Sequence, residues 1–164
     1  LARLLGALPH GVVAMSVAVP GFVESSTNLA VVTMRGKKAE ICCTSRSSVN
    51  SSLDQMALQH ACIAALAGVS CRQGPRTPGW KPDPGSAILK VVEAEYARVF
   101  GRAPEVVGVH AGLECGTLRE RFPGLDAISF GPDIEGAHSP DERVRIASVE
   151  RVYRLLAAVL GGIR

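Results

Sequence analysis

The chain has 164 residues, of which 47% are hydrophobic and 20% are charged, and its formal net charge at pH 7 is +3. This composition is that of a folded globular protein and excludes intrinsic disorder, which requires low hydrophobicity and high net charge. The small net charge and an aromatic content of 4% give no basis for a nucleic-acid surface. No stretch reaches the roughly 18 apolar residues of a membrane span. We therefore expect neither a nucleic-acid partner nor a membrane.

The cysteines form no recognisable metal or redox motif. Their number is odd, two of them are adjacent, and no Cys-x-x-Cys pair occurs among Cys42, Cys43, Cys62, Cys71 and Cys115. This pattern predicts free thiols in a reducing compartment, so we expect a cytoplasmic protein. The sequence begins with Leu1 rather than Met and shows no targeting signal. We expect the chain to start inside a longer gene product.

The first half of the chain combines strand-like runs with one long helical pattern. The predicted elements are, in chain order, the end of a helix at 1–10, strands at 12–19, 27–34 and 39–45, a helix at 51–67 and a short strand at 70–73. The second and third strands are joined by a short turn that contains Gly36. This order predicts an α/β sandwich of the ferredoxin-like kind over residues 12–76.

A segment rich in proline and glycine separates the two halves. Residues 74–85 (GPRTPGWKPDPG) contain four of the ten prolines and three of the glycines. Such a composition predicts a domain boundary. Trp80, the only tryptophan, lies in this segment, and packing against a neighbouring domain is favoured over stacking on a ligand.

The second half follows the order helix, strand, strand, helix. Ser86 is the predicted N-cap of a helix that ends at Gly101, apolar runs at 104–109 and 125–130 predict buried strands, and a final helix covers 148–163. The predicted apolar face of that final helix consists of Val149, Val152, Tyr153, Leu156, Val159, Leu160 and Ile163. Two strands and two helices make a thin core, so we expect an incomplete α/β half that other segments complete.

Polar clusters follow both predicted strands of the second half. His110 and Glu114 come after the first strand and His138 after the second, and strand ends of open α/β sheets are where ligands collect. Glu114 lies between Gly112 and Gly116, which allow a partner to approach closely. These three side chains are the only plausible donors near strand ends, and the three protein ligands that a catalytic zinc usually has are hard to assemble from them. Either no metal binds, or part of its site lies outside this chain.

Structural interpretations compete with the functional ones. A single histidine after a strand is more often a hydrogen-bonded structural residue than a ligand, which applies to His110. His138 immediately precedes Ser139-Pro140-Asp141-Glu142, which has the pattern of a helix capping box. No phosphate-binding loop, HExxH motif or serine nucleophile elbow is present.

Two strings of the sequence resemble a known family. GLECG at 112–116 and ISFGPDIEGAHSPDERV at 128–144 are similar to the corresponding parts of bacterial aminoacyl-histidine dipeptidases, also called cytosol non-specific or Xaa-His dipeptidases. These enzymes belong to the zinc-dependent aminoacylase and carboxypeptidase superfamily. NLAVVTM, ICCTSRSS and PGWKPDPGSAILKVV occur in the same order as in that family, so the resemblance spans essentially the whole chain.

The resemblance implies a division into three parts. Family members have a catalytic domain that binds two zinc ions, with a smaller lid domain inserted into it. Residues 1–11 would be the end of an upstream catalytic segment, residues 12–76 a lid or dimerisation domain, and residues 77–164 the C-terminal part of the catalytic domain.

The resemblance also implies roles for five residues. His138 corresponds to the zinc ligand contributed near the C-terminus. His110 and Glu114 are assigned to substrate binding or its support. Asn28 and Arg46 fall where related enzymes grip the substrate carboxylate or the carbonyl oxygen at the scissile bond. A guanidinium binds a carboxylate as a fork, and an amide N–H stabilises an oxyanion.

The remaining zinc ligands and the general base of this family lie upstream of the segment that this chain matches. The resemblance therefore implies that the complete enzyme hydrolyses dipeptides with zinc-activated water, and that this chain alone has no catalytic residue and is inactive. The alternative is a non-catalytic dimerisation or binding module, in which the lid-like part pairs between two subunits.

Overall fold

The computed structural model describes residues 1–163, which divide into two compact units. The first unit contains residues 1–82 and 108–123, and the second contains residues 83–107 and those from 124 onward. The first crossing between them, after Pro82, lies inside the proline- and glycine-rich segment 74–85. The chain then returns to the first unit for residues 108–123, which carry His110 and Glu114.

The elements, in chain order, are α1 (Ala2–Ala7), β1 (Gly11–Met15), β2 (Val23–Arg35), β3 (Lys38–Ser47), α2 (Asn50–Leu66), α3 (Ala87–Phe100), α4 (Glu114–Arg121), β4 (Ile134–Glu135), β5 (Arg143–Val144) and α5 (Ile146–Gly162). Strands β1, β2 and β3 form an antiparallel sheet in that order, and β4 pairs with β5 in a separate two-stranded ladder. The α/β class predicted from the sequence is confirmed. None of the helices described between residues 1 and 163 is long and apolar enough to cross a membrane.

The β2–β3 hairpin is the centre of the first unit. Arg35 pairs with Lys38, so the connection is a two-residue turn, and its Gly36 has a φ of 61°, a conformation that glycine adopts without a Cβ penalty. Both strands are longer than predicted because the pairing continues past the apolar runs into the polar residues on either side.

Helix α2 packs on β2 and β3, with Met56 and Ala64 buried. Val49 occupies the capping position without a side-chain hydrogen bond, and the side-chain oxygen of Asn50 instead accepts a hydrogen bond from the Gly79 N–H at 2.9 Å. A contact distant in sequence has taken the place of a local cap.

The second unit has its core between α3 and α5. The predicted cap of α3 is confirmed, because the Ser86 hydroxyl accepts a hydrogen bond from the Leu89 N–H at 3.0 Å. Gly101, with a φ of 69°, ends the helix as predicted. The buried core consists of Val92, Leu155 and Val159, with partly buried apolar side chains around it, namely Ile88, Val91, Tyr96, Phe100 and Ile128.

The predicted apolar face of α5 is largely the wrong one. Val149, Tyr153, Leu156 and Leu160 are exposed, whereas the helix turns a neighbouring stripe that includes Leu155 toward α3. The helix is apolar around most of its circumference, so periodicity alone does not determine which stripe packs inside. Val159 is shared by the predicted and the observed faces.

Three predicted strands are absent from the described residues. The runs 70–73, 104–109 and 125–130 are not assigned to strands, and the second unit contains only the two-residue strands β4 and β5. Val106, Val107 and Val109 are exposed rather than buried on both faces. A central strand needs neighbours on both sides, and the described part of the chain supplies none for these runs. The helix that the capping-box interpretation of Ser139 implied is also absent, since residues 139–142 form a turn before β5.

Candidate functional site

Asn28 and Arg46 lie on the same face of the β2–β3 hairpin. Ser26 pairs directly with Arg46, and Asn28 pairs with Thr44 two positions along. Side chains alternate between the faces of a strand, so directly opposed residues and those two positions away share a face. Asn28, Thr44 and Arg46 are exposed on it. We refer to Ser26, Asn28, Thr44 and Arg46 as the polar face.

The other side of the hairpin is covered. Ser25 and Thr27 are buried, and their hydroxyls bond to the hydroxyls of Ser47 and Ser45 at 2.7 Å and 2.9 Å. Helix α2 contacts both strands and covers this side. These hydroxyl pairs favour the observed register of the two strands. A slip by one residue would break them and turn the polar face toward α2.

His110 is held against the polar face. Its Nε2 lies 2.7 Å from the hydroxyl oxygen of Ser26, and its ring meets the Phe22 ring edge to face, with centroids 6.3 Å apart. Gly108 makes this approach possible, since a Cβ at that position would lie 2.8 Å from Cδ2 of Phe22. His110 is therefore placed by contacts with residues that precede it by more than eighty positions.

The electrostatic surroundings of His110 favour its neutral form. Burial, and then the positive charge of Arg46, lower the pKa of the imidazole, while a hydrogen bond to the Val23 backbone acts in the opposite direction. Desolvation and a nearby positive charge both disfavour the imidazolium. The guanidinium of Arg46 therefore acts on the protonation of His110.

Glu114 is exposed and is the first residue of α4. A carboxylate in the first turn of a helix interacts favourably with the helix dipole. The glycines that flank it serve packing within the first unit. A Cβ at Gly112 would lie 3.0 Å from the Thr77 side chain, and one at Gly116 would lie 2.5 Å from the Pro78 carbonyl oxygen. The close partner of this turn in the structure is thus the chain's own segment 77–78.

A shallow cavity of about 330 Å³ lies beside the turn, lined by residues 48–50 and 79–81 and by Gly116, Arg119 and Glu120 of α4. Trp80 lines it as well, and the packing of this side chain against a neighbouring domain remains a prediction. None of the five candidate residues lines this cavity. The predicted site is therefore the polar face and not this depression.

His138 belongs to the second unit, in the turn between β4 and β5. Its side chain is exposed, and its backbone N–H donates to a carboxylate oxygen of Glu142 at 2.7 Å. The capping-box pattern thus forms a related hydrogen bond, although no helix follows. His138 has a φ of 65° and is the only residue other than glycine with a positive φ among residues 1–163. Such strained conformations concentrate at functional sites.

The described residues do not form a metal site by themselves. Within residues 1–163, no three His, Cys, Asp or Glu side chains converge where they could hold a metal ion. A catalytic zinc takes three protein ligands, so His138 alone does not fit a complete site.

Four of the five candidate residues belong to the first unit, where Asn28, Arg46 and His110 are grouped around Ser26. Sequence reasoning missed Ser26. The alternation of β2 could have found it, because Ser26 lies two positions before Asn28 and so shares its face, but only the three-dimensional structure reveals its contact with His110.

The chain matches a known family over nearly its whole length. Residues 4–161 match the family described as peptidase family M20/M25/M40. The cytosol non-specific dipeptidase of Escherichia coli (strain K12) is 40% identical over 158 residues, which cover 96% of this chain and 33% of that protein. The resemblance predicted from the sequence is confirmed.

A solved structure shares the fold. The crystal structure of aminoacylhistidine dipeptidase from Vibrio alginolyticus superposes with a TM-score of 0.85 at 38% identity, covering 99% of this chain and 33% of that one. The chain thus spans about one third of the length of the relatives it matches. Because the family match covers more than nine tenths of the sequence, this chain belongs to peptidase family M20/M25/M40.

Proposed function

We propose that this chain is the substrate-contacting C-terminal portion of a cytoplasmic metallo-dipeptidase that hydrolyses Xaa-His and other dipeptides. The observation that carries the proposal is the 40% identity with a dipeptidase along 96% of the chain. The convergence of Arg46 and His110 on Ser26, with Asn28 exposed beside them, supports it because this face offers a cation and amide donors to a small polar substrate.

Each polar side chain has a role in this proposal. The guanidinium of Arg46 binds the carboxylate of the dipeptide, and the amide of Asn28 donates to the oxygen of the scissile carbonyl. His110 and Glu114 bind the substrate or support the groups that do. Arg46 and Asn28 are both exposed, so a substrate can reach them without a rearrangement of the hairpin.

His138 is proposed as one ligand of a two-zinc centre whose other ligands, like the general base, lie outside this chain. Its positive φ and its rigid turn support the assignment, since a ligand has to be held in one orientation. With a single ligand and no base, the chain alone is expected to show no dipeptide hydrolysis in the presence of added zinc.

A chimeric enzyme tests the proposal. The chain replaces the matching third of the E. coli cytosol non-specific dipeptidase, and the product is assayed with dipeptides and analysed for bound zinc. We expect hydrolysis by the chimera, about a hundredfold loss of kcat/KM in Arg46→Ala, and reduced zinc content in His138→Ala.

Arg35→Ala is the matched control, because Arg35 lies at the far end of the same hairpin, paired with Lys38. It should leave kcat/KM within about twofold of the chimera. Equal activity of the Arg46 and Arg35 variants would contradict the substrate-binding role of the polar face. An unchanged zinc content in His138→Ala would contradict the ligand assignment.

A second candidate function is a homodimer formed through the sheet. Strands β1 and β3 are the edges of the sheet, and β1 and β2 expose several large apolar side chains, namely Val12, Val13, Met15, Val31, Val32 and Met34. Exposed edges and apolar patches are features of pairing surfaces. Light scattering of the purified chain should give the mass of a dimer, and Val13→Lys combined with Val31→Lys should shift it to a monomer. A monomer at high concentration of the unaltered chain would contradict this candidate.

A further inference from the structure

The contact between Ser26 and His110 joins segments that are 84 residues apart in the sequence. Ser26 lies in the middle of the hairpin that carries the polar face, whereas His110 precedes the glycine-flanked turn that carries Glu114. Both belong to the first unit. The contact is thus a direct link between the strands that hold Arg46 and the segment that holds Glu114.

The imidazole of His110 is constrained from several directions. Nε2 is 2.7 Å from the Ser26 hydroxyl oxygen, the ring packs edge to face on Phe22, and a further hydrogen bond engages the Val23 backbone. A ring held in this way cannot change its orientation without breaking more than one contact. This arrangement is typical of a residue that places other groups, rather than of one that moves to meet a ligand.

The segment that carries His110 packs closely against Phe22. At Gly108, a Cβ would meet three ring atoms of Phe22 within 3.2 Å, so only glycine allows the segment to run this close. Across the strands, Ser26 is the direct partner of Arg46. A displacement of the His110 segment would therefore change the contacts of Ser26, which is paired with the backbone of Arg46.

We propose that Ser26 is a positioning residue whose hydroxyl orients His110 and thereby fixes the segment 108–114 against the strand pair that carries Asn28 and Arg46. The role of that face in binding rests on the proposed function, but the positioning is a property of this chain. The hydroxyl of Ser26 bonds to one of the candidate residues, whereas the hydroxyls on the covered side of the hairpin bond to one another.

Nuclear magnetic resonance of the full chain with ¹⁵N-labelled histidine tests the proposal. The tautomer ratio of His110 is read from its two ring nitrogens in the unaltered chain and in Ser26→Ala. We expect one tautomer to dominate in the unaltered chain and the ratio to change by about fivefold in Ser26→Ala, the factor supplied by one hydrogen bond of typical strength. Ser26→Thr keeps a hydroxyl and should retain the ratio of the unaltered chain, which provides a second test if the alanine variant is unstable.

Ser25→Ala is the matched control. It removes a hydroxyl from the adjacent residue of the same strand, on the covered side, where the bond is to Ser47. The His110 tautomer ratio should stay unchanged in this variant. An unchanged ratio in Ser26→Ala, or the same change in both alanine variants, would overturn the proposal.

The outcome is independent of the proposed function. An inactive chimera would reject the dipeptidase role while the tautomer measurement still decides whether Ser26 positions His110. In an active chimera, Ser26→Ala should raise KM by about fivefold with a smaller change in kcat, because the displaced groups contact the bound substrate. Unaltered KM together with an unaltered tautomer ratio would reject the positioning role and leave the dipeptidase role intact.

Discussion

The centre of the first unit combines apolar and hydroxyl contacts, whereas the helix pair of the second unit is held by apolar ones. The second unit packs α3 against α5 through Val92, Leu155 and Val159. In the first unit, Met56 is buried together with Ser25 and Thr27, which form hydroxyl pairs across the hairpin. Apolar burial is non-directional, whereas hydrogen bonds depend on distance and angle. The unit that carries the polar face is therefore the one whose register is determined by directional contacts.

The largest expected effect is on the helix pair. Leu155→Ala should lower the free energy of unfolding of the second unit by about 2–5 kcal/mol, because it leaves a cavity in a small apolar core. Leu155 is 5% exposed, whereas Leu160, one turn further along α5, is 64% exposed. Urea denaturation followed by far-ultraviolet circular dichroism measures the free energy of unfolding of this variant and of a variant at Leu160.

Leu160→Ala is the matched control and should change the free energy of unfolding by less than about 0.5 kcal/mol in the isolated chain. Equal losses in the two variants would mean that the two apolar stripes of α5 are equivalent, and the comparison between the units would lose its basis.

A smaller effect is expected where the first unit packs most closely. Gly116→Ala should destabilise it by about 1–2 kcal/mol, because the new Cβ would lie 2.5 Å from the Pro78 carbonyl oxygen. The higher helix propensity of alanine in α4 offsets part of the cost. Fluorescence of Trp80, the only tryptophan, reports unfolding because it lines the same cavity as Gly116. Gly74→Ala, with no atom within 4 Å of the added Cβ, should show no such loss.

The smallest effect is a pH dependence in the first unit. The pKa of His110 is lowered in the folded state by burial and by Arg46, so the unfolded chain binds its proton more readily. The free energy of unfolding is therefore highest, as far as His110 is concerned, above the unfolded pKa of about 6.5. It decreases as the pH falls from there toward the folded pKa. Urea denaturation at about pH 7.5 and about pH 5.5 should show a smaller pH-dependent loss in His110→Gln than in the unaltered chain. An equal loss would remove His110 as its source.

Local patterns predicted the positions of four of the five described helices, missed α4, and predicted the strands of the second half poorly. The cap of α3 at Ser86 and its end at Gly101 depend on contacts within a few residues, so the sequence contains all the information they need. The run at 104–109 has the composition of a buried strand, but a strand also requires partners, and the described residues provide none. The predicted domain limits at residues 11 and 76 remain predictions, and the observed units differ from them by the return of residues 108–123 to the first unit.

The sequence alone determined the family and the β2–β3 hairpin, because motif strings and a glycine-containing turn between two strand-like runs are local properties of the chain. Only the tertiary structure decided which stripe of α5 is buried and that Ser26 contacts His110. Both depend on segments that are distant in sequence. Several apolar stripes or several hydroxyls are available, and the segment that packs against them determines which one forms the contact. For His110, that partner fits because Gly108 has no side chain to keep the two segments apart.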